Sequence, residues 1–254
     1  MKTLYVVGIG PGSREDMTIR AADALRQADL ITGYDRYVEI IRREFADDEQ
    51  IAGSDFYTTG MTREIERCRY ALGKAEEGIT TALICSGDAG IYGMASPVLE
   101  LAPEYPSVSV RIVPGVTAAS SGAALVGAPL SHDFSVISLS DRLTSWQLIE
   151  KRLRAAALSD MTIVLYNPSS HGRPDTLKKA ASILLDAGLP SSRACALARH
   201  IGREGEEAVI TSLGRLSLEM CDMQTTVFIG SSASYEESGC LITPRGYKKD
   251  TEKA

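Results

Sequence analysis

Three glycine-rich segments constrain this chain more than any other feature of its sequence. They lie at residues 7–13, 85–94 and 113–119, each after an apolar run typical of a β-strand and before a helical pattern. Strands joined through helices form a parallel sheet, and their carboxyl ends meet at one edge, where open α/β proteins bind small ligands. The segments therefore predict an α/β fold with bare backbone at one sheet edge, and they favour an enzyme.

The first segment differs from two common nucleotide-binding motifs. The dinucleotide fingerprint G-x-G-x-x-G/A requires glycine or alanine at the position of Ser13. Pro11 removes one backbone N–H donor and fixes its own φ, which makes the segment a poor phosphate cradle. No G-x-x-x-x-G-K-[ST] motif occurs, so a P-loop is excluded. A tight turn without a ligand is the alternative for this segment alone.

The second segment contains three glycines and a single carboxylate, Asp88. Such a loop offers backbone groups and one acceptor to an adenosine-like ligand, with little side-chain bulk in the way. Asp88 also fits the cap of the following helix, and both roles stay open.

Composition limits the classes of partner. The 254 residues, 44% of them apolar, suffice for one large or two modest cores. No apolar run approaches the ~18 residues of a membrane span, and the first residues do not open a secretory signal, so we expect a cytoplasmic protein without membrane contact. The formal net charge of −6 opposes nucleic-acid binding.

Cysteine and histidine spacing argues against metal and disulfide sites. The five cysteines show no C-x-x-C spacing, so we expect free thiols in a reducing compartment. The histidines, His132, His171 and His200, are too isolated to form a local metal site, and no metal is predicted.

Alternating strand and helix patterns indicate two domains. In the first, strands are predicted at 4–9, 80–85 and 108–113, and helices at 18–28, 34–44 and 62–77. A helix of small residues at 117–126 suits a domain junction. The second series has strands at 135–139, 162–166, 194–199, 208–211 and 225–229, and helices at 145–157 and 175–187. We predict domains at 1–116 and 117–247, with a disordered tail at 248–254.

Taken together, these loops resemble the tetrapyrrole (corrin and porphyrin) methyltransferases over almost the whole chain. The matching motifs are Gly8-x-Gly10-Pro11-Gly12, Ser86-Gly87-Asp88, Pro114-Gly115-Val116-Thr117-Ala118 and Gly127-Ala128-Pro129-Leu130. The resemblance implies two α/β domains with S-adenosylmethionine in the cleft between them, and a homodimer. The chain lacks the cysteines for the iron-sulfur extension of some longer relatives.

Finer motifs look like the C17-methyltransferases of cobalamin synthesis. They are Thr59-Gly60-Met61, Glu64-Ile65-Glu66-Arg67-Cys68, His132-Asp133-Phe134, Ser138-Leu139-Ser140-Asp141, Tyr166-Asn167-Pro168 and Ile242-Thr243-Pro244-Arg245-Gly246-Tyr247. That group methylates precorrin-3B or cobalt-precorrin-3 and contracts the macrocycle, and the motifs at 59–61 and 245–247 favour the cobalt-containing substrate. The alternatives are methylation at another position, a nicotinamide-dependent oxidoreductase, and a non-catalytic nucleotide-sensing module.

The resemblance also assigns the cofactor contacts. They are Pro11, Ser86, Gly87, Asp88, Ile91, Tyr92, Thr117, Ala118, Tyr166, Asn167, Ile201, Gly202 and Thr226.

Ring contraction and a polycarboxylate substrate add further candidates. A proton must be handled near the extruded carbon, and His132, Asp141 and Asp88 are the catalytic candidates. For His132, a hydrogen bond to backbone at a turn is the alternative. Candidates to pack against the macrocycle are Tyr34, Tyr37, Met61 and Met94, and candidates to pair with its carboxylates are Arg36, Arg63, Arg142 and Arg173. The alternatives for these two sets are core packing and solvated surface charge.

Overall fold

A computed structural model describes residues 2–170 and 172–247 of the chain. The predicted tail at 248–254 lies outside the described residues. The chain divides into two compact units, Met1–Thr117 and Ala118–Ala254, one residue beyond the boundary expected from the sequence.

The first unit contains a five-stranded parallel sheet in the order β3-β2-β4-β1-β5. Its elements are β1 (Thr3–Gly8), α1 (Ile19–Arg26), β2 (Leu30–Tyr34), α2 (Asp35–Glu44), α3 (Glu49–Ala52), β3 (Asp55–Thr59), α4 (Glu64–Glu76), β4 (Thr81–Cys85), α5 (Ala95–Leu101) and β5 (Ser109–Val113). The three glycine-rich segments follow β1, β4 and β5, which are neighbours in the sheet. The predicted meeting of these segments at one edge is confirmed.

Helices bury both faces of this sheet, which explains its continuous apolar runs. Every residue of β4 is buried, and alternate side chains enter different cores. Ala82 and Ile84 pack in one cluster, whereas Leu83 and Cys85 pack in the other. Two-sided burial fixes the register of the strands, and the register fixes where their loops emerge.

The second unit is built around a mixed five-stranded sheet in the order β10-β9-β11-β8-β7. Its elements are α6 (Ala118–Val126), β6 (Gly127–Ala128), β7 (Phe134–Ser138), α7 (Trp146–Leu158), β8 (Thr162–Tyr166), α8 (Thr176–Asp186), β9 (Ala194–Arg199), β10 (Glu207–Ser212), β11 (Thr225–Ile229), β12 (Tyr235–Glu237) and β13 (Cys240–Ile242). A small sheet joins β12, β13 and β6.

The predicted alternation of strand and helix ends at β9. The pair β7 and β8 is parallel, but β9 is antiparallel to both β10 and β11, and β11 is antiparallel to β8. Residues 200–206 join β9 to β10 without an α-helix, and antiparallel strands need only such a short link.

The cysteines are free thiols, as the sequence predicts. Burial raises the pKa of the Cys68 and Cys85 thiols to about 11, so both stay protonated at neutral pH. No helix among residues 2–170 and 172–247 is both long and apolar enough to cross a membrane.

Candidate functional site

Backbone hydrogen bonds join the first and second glycine loops in the first unit. The Gly10 N–H donates to the Gly87 carbonyl at 3.1 Å, and the Gly87 N–H donates back to the Gly10 carbonyl at 2.7 Å. The Ile9 N–H extends the ladder to the Cys85 carbonyl at 2.9 Å. Both glycines adopt positive φ, +73° and +69°, where a side chain would be strained. The two loops therefore form one rigid edge.

The Asp88 carboxylate connects the second loop to the third. Its Oδ1 accepts from the N–H groups of Gly90 and Ile91 at 2.8 and 3.1 Å. Its Oδ2 accepts from the Gly115 N–H at 3.0 Å. The cap of α5 is Met94, so Asp88 does not cap that helix. Because three backbone donors engage both oxygens, the structure uses this carboxylate to hold two loops together.

Close packing of the three loops requires glycine at two more positions. A Cβ on Gly115 would lie 2.1 Å from the Gly87 carbonyl oxygen and 2.5 Å from the Gly8 carbonyl oxygen. A Cβ on Gly8 would lie 2.6 Å from the same Gly87 oxygen. These distances are far below van der Waals contact, so any larger residue would push the loops apart.

The second loop presents two apolar side chains to solvent. Ile91 is 41% exposed and Tyr92 is 58% exposed, and Tyr92 adopts a φ of +53°. Exposed apolar groups on a rigid, strained loop are typical of a ligand contact. Of the other predicted cofactor residues here, Pro11 is buried, and Ser86 and Thr117 are partly buried.

In the second unit, one edge of the mixed sheet collects the other predicted cofactor residues. Tyr166 ends β8 and Asn167 follows it, residues 200–202 follow β9, and Thr226 lies near the start of the antiparallel β11. The Tyr166 hydroxyl accepts from the Ala119 N–H at 2.7 Å at the start of α6.

Packing limits what two of these residues offer to a ligand. Ile201 is 8% exposed and packs in the core beside Phe228. Thr226 is 4% exposed. Contacts from these positions would therefore use backbone atoms more than side chains.

Left-handed backbone is concentrated in the segments singled out by the sequence. Six described non-glycine residues have positive φ, and four of them are Thr62, Tyr92, Asn167 and His200. Such conformations cost about 1–3 kcal/mol each and persist where the surrounding structure enforces them. Thr62, at +71°, is an outlier because its side chain is β-branched.

His132 and Asp141 lie at opposite ends of β7. His132 precedes the strand and Asp141 follows it, and a strand of five residues spans about 17 Å. Asp141 is therefore at the edge that carries Tyr166 and Asn167, whereas His132 is exposed at the other edge. The length of β7 therefore separates the two candidates, and proton handling by either of them stays a prediction.

Asp141 is held in its ionised form. Its Oδ1 accepts from Nη1 of Arg173 at 2.7 Å, and this guanidinium lowers the pKa of the carboxyl group. A carboxyl group that is ionised at neutral pH accepts a proton or a hydrogen bond and does not donate one.

The candidate substrate residues fall in different environments. Met94 is 8% exposed and packs in the core of the first unit, which favours the core-packing alternative over contact with the macrocycle. Tyr34 is half-buried and meets Tyr37 edge to face at 5.2 Å between ring centroids.

The remaining substrate candidates are more exposed. Met61 is 45% exposed, and Arg63 forms an ion pair with Glu66. Two further arginine candidates, Arg36 and Arg142, are exposed.

Arg67 is a residue that sequence reasoning missed. Its side chain lies on α4 and is buried, with a relative exposure of 4%. It donates to Thr59 Oγ1 at 2.7 Å and to the carbonyl oxygens of Thr59 and Gly60 at 3.2 and 3.0 Å. No ion pair in the described part of the chain includes Arg67. The guanidinium therefore fixes the loop after β3 that leads to Met61 and Thr62, and the sequence signal was one arginine on the apolar face of a helix.

Replacing Asp88 by alanine should loosen the three-loop edge. Gly90, Ile91 and Gly115 would lose their acceptor, and we expect the free energy of unfolding to fall by about 1–3 kcal/mol in urea denaturation. Asp186→Ala removes an exposed carboxylate at the end of α8 and should change stability little. Equal stabilities of the two variants would contradict the role given to Asp88.

Replacing Thr62 by glycine should release backbone strain. Glycine adopts positive φ without a steric penalty, so the free energy of unfolding should stay constant or rise by up to about 1 kcal/mol. The same change at Thr58, in β3, should lower it by about 1 kcal/mol, because extended backbone gains nothing from glycine. A Thr62→Gly protein as destabilised as Thr58→Gly would show that Thr62 is unstrained.

Comparisons with known proteins agree with this geometry. The sequence model described as Tetrapyrrole (Corrin/Porphyrin) Methylases matches residues 3–217. A probable cobalt-factor III C(17)-methyltransferase from Salmonella typhimurium strain LT2 is 46% identical over 245 residues, covering 96% of this chain and 99% of that protein. A precorrin-3B C(17)-methyltransferase from Sinorhizobium sp is 39% identical over 254 residues, covering 96% and 97%.

A solved structure supports the fold directly. The methyltransferase CobJ aligns with a TM-score of 0.86 and 34% identity, covering 95% of this chain and 99% of its own. The predicted α/β fold class of two domains is confirmed. This chain belongs to the tetrapyrrole (corrin/porphyrin) methylase family.

Proposed function

We propose that this chain transfers a methyl group from S-adenosylmethionine to C17 of a corrin precursor and contracts its macrocycle during cobalamin synthesis. The observation that carries the proposal is the edge built from three glycine loops, with Ile91 and Tyr92 exposed, in a chain of this family. Relatives named for the C17 reaction match nearly the whole chain and support the position of methylation.

The residues present fit an adenosine-like cofactor. The loop from Ser86 to Tyr92 carries little side-chain bulk, and its apolar side chains offer contact area for a purine. Tyr166 and Asn167 are polar groups on a second rigid strand end. When bound, S-adenosylmethionine supplies an activated methyl group on a sulfonium.

The chain's own residues would act by alignment. Methyl transfer from sulfur to carbon is an in-line displacement, which needs orientation and exclusion of water and no protein nucleophile. Asp141, ionised beside Arg173, is suited to accept a hydrogen bond from the substrate during ring contraction.

We propose the cobalt-containing precursor as the substrate. The relative from Salmonella typhimurium, named for cobalt-factor III, is 46% identical, and the relative from Sinorhizobium sp, named for precorrin-3B, is 39% identical. The motifs at 59–61 and 245–247 favour the same choice.

Product analysis tests this function. Purified protein with S-adenosylmethionine should add one methyl group to the cobalt-loaded precursor faster than to the metal-free one, as mass spectrometry and the absorbance of the contracted ring would show. Gly115→Ala should abolish turnover, because its Cβ would lie 2.1 Å from the Gly87 oxygen. Gly73→Ala, on α4, meets no atom within 4 Å and should stay active.

Two results, one from that assay and one from calorimetry, would reject the proposal. Methylation at a carbon other than C17 would establish a different position of transfer in the same family. Calorimetric binding of NAD in place of S-adenosylhomocysteine would establish a nicotinamide-dependent enzyme.

We propose that the protein acts as a homodimer in the cytoplasm, as the family resemblance implies. The chain has a mass of 27.3 kDa, so light scattering should report about twice that value. A mass near that of one chain at low micromolar concentration would refute the dimer.

A further inference from the structure

Binding a polycarboxylate poses an electrostatic problem for this chain. The formal net charge is −6, so the overall field repels an anionic macrocycle. Productive binding therefore needs local donors that outweigh the overall field at short range. The inference below rests on the proposed function for the identity of the occupant.

A cavity of about 190 Å³ in the second unit supplies such donors. It lies where α7 and α8 begin, beside the loops that follow β7 and β8. The residues that matter for its chemistry are Asp141, Trp146, Arg173, Asp175, Thr176 and Lys179.

Arg173 is fixed in the wall of the cavity. Its Nε donates to Ser170 Oγ at 3.2 Å, and its Nη1 donates to Ser140 Oγ at 3.2 Å and to Asp141. These contacts hold the guanidinium plane, so an incoming carboxylate would meet a donor that is already oriented.

Lys179 is the second cation of the cavity. Its ammonium lies 5.8 Å from the centroid of the Trp146 ring. The ion pairs found among residues 2–170 and 172–247 do not include Lys179, whereas Asp141 is already paired with Arg173. The positive charge of Lys179 contributes to the lowered pKa of Asp141, yet the ammonium has no ion-pair partner among the described residues and can donate to an incoming carboxylate.

The start of α8 adds backbone N–H donors to those of Arg173 and Lys179. Its cap residue, Asp175, makes no side-chain hydrogen bond to the helix. The first N–H groups of an α-helix have no partner within the helix and favour an anion. Asp141 and Asp175 balance the two cations in formal charge, so recognition would depend on directed hydrogen bonds.

We propose that this cavity is a carboxylate subsite, in which Lys179 and Arg173 hold one carboxylate side chain of the tetrapyrrole. The cavity lies at the same edge of the sheet as Tyr166 and Asn167, because its loops follow β7 and β8. A macrocycle placed against that edge would bring its peripheral carboxylates to the cavity.

Two adjacent lysines provide a matched test. Lys179→Met removes the ammonium from the cavity. Lys178→Met removes an equal charge from the preceding residue of α8, and Lys178 does not line the cavity. Lys179→Met should raise KM for the tetrapyrrole about tenfold, with kcat and the affinity for S-adenosylhomocysteine unchanged, and the difference should shrink at high salt. Equal KM values for the two variants would overturn the subsite.

A second measurement does not depend on turnover. Trp146 is the one tryptophan of the sequence and lines the cavity, so intrinsic fluorescence reports on it. Propane-1,2,3-tricarboxylate should change the emission saturably in the wild type and in Lys178→Met, and much more weakly in Lys179→Met. Phosphate and chloride at equal ionic strength separate carboxylate recognition from general anion binding.

The two measurements distinguish failure of the carboxylate subsite from failure of the proposed function. Saturable fluorescence changes in a wild type that methylates no tetrapyrrole would retain the carboxylate subsite and reject the proposed function. Normal methylation, with equal KM values and no saturable change, would reject the subsite and retain the function. An equal response to phosphate and tricarboxylate would reject selectivity for carboxylates.

Discussion

The contact on which the first unit's candidate site depends is the bridge from the Asp88 carboxylate to the backbone of two loops. One oxygen accepts from Gly90 and Ile91 in its own loop, and the other reaches Gly115. This bridge is possible because Gly115 has no Cβ. A Cβ there would collide with the carbonyl oxygens of Gly87 and Gly8. Charge and the absence of side chains thus act together: the glycines allow the approach, and the carboxylate fixes it.

Local ion pairs bear on how a protein of negative net charge could bind the polycarboxylate substrate proposed for it. Several arginines are neutralised locally, as Arg63 is by Glu66 and Arg173 is by Asp141. Such pairs leave the field of the whole protein negative, yet they orient guanidinium groups that still carry unused N–H donors. Recognition of carboxylates then depends on short-range geometry, and overall charge only sets the background.

The sequence predicted those features of the fold that follow from local chemistry. The strands Thr162–Tyr166, Ala194–Arg199 and Thr225–Ile229 were located to the residue, because buried apolar runs end at polar or glycine-containing turns. β2 and β3 were missed. Thr32 and Gly33 interrupt the apolar run of β2, and β3 is an edge strand whose residues are mostly exposed or half-buried. The antiparallel half of the second sheet depends on tertiary pairing, which local pattern does not encode.

The catalytic candidates show the same limit at the site. From the sequence, His132 and Asp141 are equivalent, since each lies just outside one strand. Direction separates them: the carboxyl end of β7 meets that of the parallel β8, so Asp141 lies at the same edge as Asn167 and His132 does not. Asn167 and His200 follow β8 and β9, which lie on either side of β11, and their positive φ values show which edge the fold holds in a costly conformation. The direction of a strand therefore shows which candidates share an edge of the sheet, and their positions in the sequence alone do not.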